Sequence, residues 1–193
     1  MACAAPSDAG RLIVIAGCMF AGKTAHLIER LIAARTAGRR VHAFKHQLDR
    51  RYDLAQLATH DGHRFPATTV AAAPEIAPLV GEAEVIGIDE AQFFGRPLAA
   101  LCEHLRDAGR TVIVAGLAHD TWGQPFPPLP KLIARADVCI PLRPPCQVCE
   151  RPADFHQRVT PIIDGHLIGG PGDYEPRCAA HFTPPQLPAP TYE

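Results

Sequence analysis

Short apolar, β-branched runs alternate along this chain with stretches whose apolar positions recur every three or four residues. The run LIVIA, residues 12–16, is apolar throughout, as expected of a strand buried on both faces. Helical spacing follows from Thr24 to about Arg35. It sets Leu27, Ile28, Leu31 and Ile32 on one face, with Gly38 beyond its end as a stop. Val41–Phe44, Val85–Ile88 and Thr111–Ala115 read as further strands. Pro97 to Ala108 reads as a helix, opened by proline and closed by Gly109. Residues 45–66 are polar and mixed and predict a mobile loop. Strands alternating with helices imply an α/β fold with a mostly parallel sheet and right-handed crossovers.

After Ile140 the pattern changes. Proline-rich sequence gives way to short β-like stretches, with Asp164-Gly165 as a hairpin-turn signal. The expected organisation is a flexible stretch at 1–10, an α/β core at 11–142, a smaller second domain at 143–183 and a flexible proline-rich tail at 184–193.

Composition narrows the field. A formal net charge of -1 over 193 residues argues against a protein that coats nucleic acid, which needs excess Lys and Arg to displace counterions. No apolar run reaches the roughly 18 residues a membrane helix needs. The opening MACAAPSDAG has no basic residue and no apolar core, so it does not read as a secretory signal. A cytoplasmic protein with neither nucleic-acid nor membrane partners is expected. Of seven cysteines, Cys3, Cys18, Cys102 and Cys139 are scattered, while three cluster late in the chain. Without an export signal, that favours reduced thiols and a metal over disulfides.

The strongest chemical signal is Gly17-Cys18-Met19-Phe20-Ala21-Gly22-Lys23-Thr24, which fits G-x-x-x-x-G-K-[ST] between a strand and a helix. Glycines let backbone N–H groups curl around a polyphosphate, and the helix aims its positive dipole end at it. Lys23 can reach the β and γ phosphates of ATP, and the Thr24 hydroxyl can ligate Mg²⁺. The run VIGIDE, residues 85–90, ends a strand in Asp89, a carboxylate suited to Mg²⁺ or its water shell, with Glu90 beside it. A GTPase usually reads guanine through N-K-x-D, and this chain has no asparagine; a helicase needs two such cores.

Cys146-x-x-Cys149 and Cys178-x-x-His181 offer three thiolates and an imidazole in two close pairs, a common way to build tetrahedral zinc. A zinc deaminase would also need H-x-E, and no histidine here has Glu two residues later. The zinc is therefore expected to be structural.

The order of these parts resembles the thymidine kinase family of bacteria, vertebrates and poxviruses. The matching pieces are GCMFAGKT, LDRRY (Leu48–Tyr52), THDG (Thr59–Gly62), VIGIDEAQFF, TVIVAGL, GQPF (Gly123–Phe126), CQVC, IGGPGDY (Ile168–Tyr174) and CAAH, spanning about residues 11–183. The resemblance implies a RecA-like P-loop core and a small zinc-binding domain carrying a lasso loop, here about Thr160–Tyr174. It implies Glu90 as general base for a nucleoside 5′-hydroxyl, and Asp49 and Arg51 near the reacting phosphates. Met19, Phe93, Leu117 and Phe126 match pocket-lining positions, and Tyr174 a contact to sugar or base. The implied activity is ATP-dependent phosphorylation of a pyrimidine deoxynucleoside, foremost thymidine to dTMP, by a homotetramer. The chain departs from the family at Ala118, usually Asp, at Thr121, usually aromatic, and at His156, commonly Thr. All three fall near the expected base pocket, where His156 adds a polar group. A kinase for a different or modified pyrimidine, and a non-kinase P-loop ATPase module, are the rival readings.

Overall fold

A computed structural model describes residues 10–49, 55–59, 62–161, 169 and 172–192. Among them a six-stranded sheet forms the centre, in the order β5-β2-β6-β7-β1-β8. The strands are β1 (Arg11–Gly17), β2 (Val41–His46), β5 (Thr68–Val70), β6 (Val85–Ile88), β7 (Thr111–Leu117) and β8 (Val138–Leu142), and every pairing is parallel. The helices are α1 (Lys23–Thr36), α2 (Ile76–Leu79), α3 (Pro97–Asp107) and α4 (Leu129–Arg135).

Strand alternation sorts the core into two layers. Ile13, Ile15, Ala43, Val85, Ile113 and Ala115 face α1 through Leu27, Ile28 and Leu31. Leu12, Val14, Phe44, Ile86, Ile88, Val112 and Val114 face α3 and α4 through Leu98, Cys102, Leu105, Leu129 and Leu132. The mostly parallel α/β core is therefore as the alternation of elements implied.

Three details differ from the expectation. Ile32 is 37% exposed, not buried with its neighbours. At 3.6 residues per turn it lies about 90° from the centre of the Leu27–Ile28–Leu31 stripe. Residues 45–66, expected to be a loop, begin with the end of β2. They then form an antiparallel pair, β3 (Gln56–Ala58) with β4 (Arg64–Pro66), whose Leu57 and Phe65 extend the α1 layer. Each of these strands is too short to show a period in sequence. The short α4 and β5 were not anticipated either. At the sheet's edge, β8 pairs with β1 out to Gly17↔Leu142.

The second module follows. β9 (Phe155–Arg158) pairs antiparallel with β10 (Tyr174–Arg177), the β-like texture expected there. The Asp164-Gly165 turn, most of the lasso, Arg51 and residues 1–9 lie outside the described residues.

Candidate active site

Three chain segments converge at the C-terminal ends of β1, β6 and β7. The first is the loop after β1. Gly22 caps α1 at φ 76°, a left-handed conformation that glycine adopts without steric cost. Lys23 donates from Nζ to the Cys18 carbonyl at 2.6 Å, so its ammonium is folded back over the loop. Met19 is half-buried and Phe20 is exposed. Cys18 is fully buried beneath the loop and packs with Ala153, Cys146 and Cys178, its Sγ 3.7 Å from the Ala153 carbonyl.

The second segment follows β6. Thr24 donates from Oγ1 to Asp89 Oδ2 at 2.9 Å, which ties the phosphate loop to the carboxylate predicted to stand beside it. Asp89 is 2% exposed. Burial, then the neighbouring Glu90 charge, pushes its carboxyl up to about 7. Two buried carboxylates side by side favour a cation, and the Thr24 hydroxyl adds a further oxygen ligand of the kind Mg²⁺ takes. Glu90 turns off the strand at φ 53° and is almost buried.

Gln92, buried on the turn Ala91–Phe94, spans to the third segment. Its Nε2 donates to Glu90 Oε2 at 2.5 Å, and its Oε1 accepts the Leu117 N–H at 3.1 Å. The backbone donor fixes which end of the amide faces Glu90. Gln92 was missed in sequence; its only signal was a polar residue in an otherwise apolar AQFF run.

Asp49 pairs with the fully buried Lys45 at 3.2 Å, and Lys45 Nζ also reaches the Gln56 carbonyl at 3.3 Å. Lys45 carried no signal beyond its place at a strand end. Asp49 is close enough for its charge to bear on Asp89. Arg51 is not among the described residues.

Of the expected pocket residues, Phe93 and Leu117 adjoin Gln92. Phe93 is half-buried against the His46 ring at 5.7 Å. Leu117 ends β7, and Phe126 is held by its N–H to the Ala118 carbonyl at 3.0 Å. Ala118 itself packs against the α3–α4 layer. Tyr174, 3% exposed, meets Thr121 hydroxyl to hydroxyl at 3.3 Å and lies edge-on to His156 at 5.3 Å. His156 is 2% exposed, and its Nδ1 has no hydrogen-bond partner among the described residues. Burial, then the charges of Lys23 and His119, lowers its pKa from 6.5 to about 3, so the ring is neutral.

In the smaller module, ligand atoms of Cys146, Cys149, Cys178 and His181 all lie within 4.8 Å of one another. Tight turns bring them together: the Glu150 N–H reaches the Cys146 carbonyl at 2.9 Å, and the His181 N–H reaches Cys178 at 2.9 Å. Three sulfurs and one imidazole nitrogen at this spacing fit zinc, and no fourth position is left open for catalysis. The module docks on the core through Cys18 and through a tilted ring contact, continued inside the module by a stacked one. His119 lies on Phe155 at 4.8 Å and Phe155 on Phe182 at 4.6 Å.

Comparison with known proteins agrees with this geometry. A family model described as thymidine kinase matches residues 10–182. A thymidine kinase of Rhodothermus sp. (strain ITI 518) is 42% identical over 177 residues, covering 92% of this chain and 83% of the relative. One from Bacteroides thetaiotaomicron is 40% identical over 169 residues, covering 88% and 85%. One from Bdellovibrio bacteriovorus is 40% identical over 186 residues, covering 95% and 90%.

Proposed function

This chain belongs to the thymidine kinase family, and from that premise we propose that it transfers the γ-phosphoryl group of ATP to the 5′-hydroxyl of a pyrimidine deoxynucleoside, foremost thymidine. The observation that carries the reading is the continuous line Thr24–Asp89–Glu90–Gln92–Leu117, which joins the phosphate loop to the edge where a second substrate would sit.

Phosphoryl transfer asks mainly for positioning and charge stabilisation. The amides of Gly17, Met19, Phe20, Ala21 and Gly22 cradle the ATP phosphates, and Lys23 leaves the Cys18 carbonyl for them. Thr24 and Asp89 would hold Mg²⁺, which would supply positive charge to offset that of the phosphates. Glu90 takes the proton of the 5′-hydroxyl as its oxygen bonds to the γ-phosphorus and ADP departs. Asp49 and Arg51 steady the same region. Met19, Phe93, Leu117, Phe126, His156 and Tyr174 form the nucleoside slot, closed by the lasso at 160–174. Cys146, Cys149, Cys178 and His181 would hold a structural zinc, which would supply stability to the β9–β10 pair between the two ligand pairs. The enzyme works as a cytoplasmic homotetramer, with core 11–142 and zinc module 143–183 as its two units. Among the described residues, no helix is long and apolar enough to cross a membrane.

The slot departs from its relatives in a particular direction. The unpartnered Nδ1 of His156 offers a hydrogen bond to the acceptor, and Thr121 leaves room beside the base. Both favour tolerance of substituents at the 5-position. The test is kcat/KM across thymidine, deoxyuridine, 5-substituted deoxyuridines, deoxycytidine and the purine deoxynucleosides. Thymidine and its 5-substituted analogues should lead. A purine preference would overturn the slot, whereas thymidine preference without 5-position tolerance would overturn only the roles of Thr121 and His156.

A further inference from the structure

The segment after the second zinc pair does not leave the molecule. Thr183 donates its N–H to Gln157 Oε1 at 2.7 Å, beside the end of β9. Pro185 and Leu187 then face Arg158 and Thr160 across a small cavity at the root of the lasso. The Leu187 carbonyl accepts from Trp122 Nε1 at 2.9 Å, on the loop after β7. The Tyr192 carbonyl accepts from Arg96 Nη2 at 2.7 Å, on the loop after β6. One strap thus touches the lasso root and both loops that bring aromatic residues to the acceptor slot.

Its end carries a ring. Tyr192 packs on Phe126 with centroids 5.4 Å apart and planes at 36°, a tilted aromatic contact. Its hydroxyl donates to Asp120 Oδ2 at 2.8 Å. Asp120 is 2% exposed, and its other oxygen is taken by the N–H groups of Trp122 and Gln124 at 2.9 and 2.8 Å. The carboxylate that shapes the loop after β7 is therefore completed by the strap. On the same loop Thr121 presents no ring, and its hydroxyl is turned to Tyr174.

We propose that Tyr192 is a nucleoside-positioning residue, its ring backing Phe126 to complete the aromatic wall that Thr121 leaves unfilled. The strap at 184–192 holds this wall and the lasso root to the core. The inference rests on the reading that Phe126 lines the acceptor slot. A flat pyrimidine gains from an aromatic wall of fixed tilt, and Phe126 backed by a second ring cannot swing away from the base. Tyr192 is held by three contacts on two loops, so it fixes their relative position as well.

The experiment compares Tyr192→Ala, Tyr192→Phe and Phe126→Ala in the full chain, with thymidine and ATP varied separately. For Tyr192→Ala the thymidine KM should rise about tenfold, while the ATP KM stays within about twofold and kcat changes little. Tyr192→Phe keeps the ring and loses only the hydroxyl, so it should recover most of the thymidine affinity. If Phe126→Ala raises the thymidine KM and Tyr192→Ala does not, the strap inference fails and the slot stands. If neither substitution moves it, the slot reading fails as well. A lower thymidine KM or a faster turnover in Tyr192→Ala would mean that the strap obstructs the slot, which overturns the inference.

Discussion

Glu90 occupies the left-handed region at φ 53° and ψ 46°, which costs a side chain with a Cβ on the order of 1 kcal/mol or more. Its backbone N–H donates to its neighbour Asp89 at 3.0 Å, and its carboxylate meets the Gln92 amide. The conformation takes Glu90 off the line of β6, so that adjacent carboxylates serve different partners. Asp89 faces Thr24 on the loop after β1; Glu90 faces Gln92 and, through it, Leu117. Glu90→Gln keeps shape and an oxygen that can accept from Gln92, so the fold should survive. The proton acceptor is lost, and kcat should fall about 10²–10⁴-fold while ATP still binds. A single-turnover rate close to that of the unaltered chain would remove Glu90 from the role of base.

At the scale of elements, the zinc module and the phosphate loop are physically joined. Cys18, inside the loop, packs against Ala153 and the proposed zinc ligands Cys146 and Cys178. Structural zinc contributes folding free energy directly, so its loss should loosen β9, β10 and the ground beneath the loop. One zinc per chain is expected by metal analysis. Chelation should raise the ATP KM by about 5-fold or more, the low end of ordinary coupling between sites. Metal content well below one per chain sinks the ligand set. A stripped chain with unchanged ATP affinity sinks the coupling through Cys18.

The whole molecule shows the cost of burying polar groups at its working edge. Lys45 and Asp49 offset one another in a buried pair; removing one partner of such a pair typically costs about 3–5 kcal/mol. His156 Nδ1 has no such partner among the described residues. Its pKa is lowered from 6.5 to about 3, so between those values the unfolded chain takes up a proton that the folded chain refuses. This contribution to stability is present above the unfolded pKa and is lost as pH falls below it. From about pH 7 to about pH 5 the loss should approach 2 kcal/mol. Thermal melts over that window should fall less steeply for His156→Gln than for the unaltered chain. Parallel slopes would show that His156 already has a proton partner in the folded state.

Much of this was legible without coordinates, and for a common reason. The strand–loop–helix around Lys23, the strand ending in Asp89 and the two zinc pairs are local patterns. Each is written by side-chain period, by glycine at a tight turn or by ligand spacing, all within a few residues. Elements shorter than one period, such as β3, β4 and α4, left no such record. Nor did contacts between distant segments. Gln92 joins Glu90 to Leu117 across 25 residues, Cys18 reaches Ala153 across 135, and Tyr192 reaches Asp120 across 72. Local sterics and periodicity fix which elements form and which chemistry they carry. Which side chains then share a site depends on strand order and on how the module and strap pack, and those follow from burial of the whole chain together.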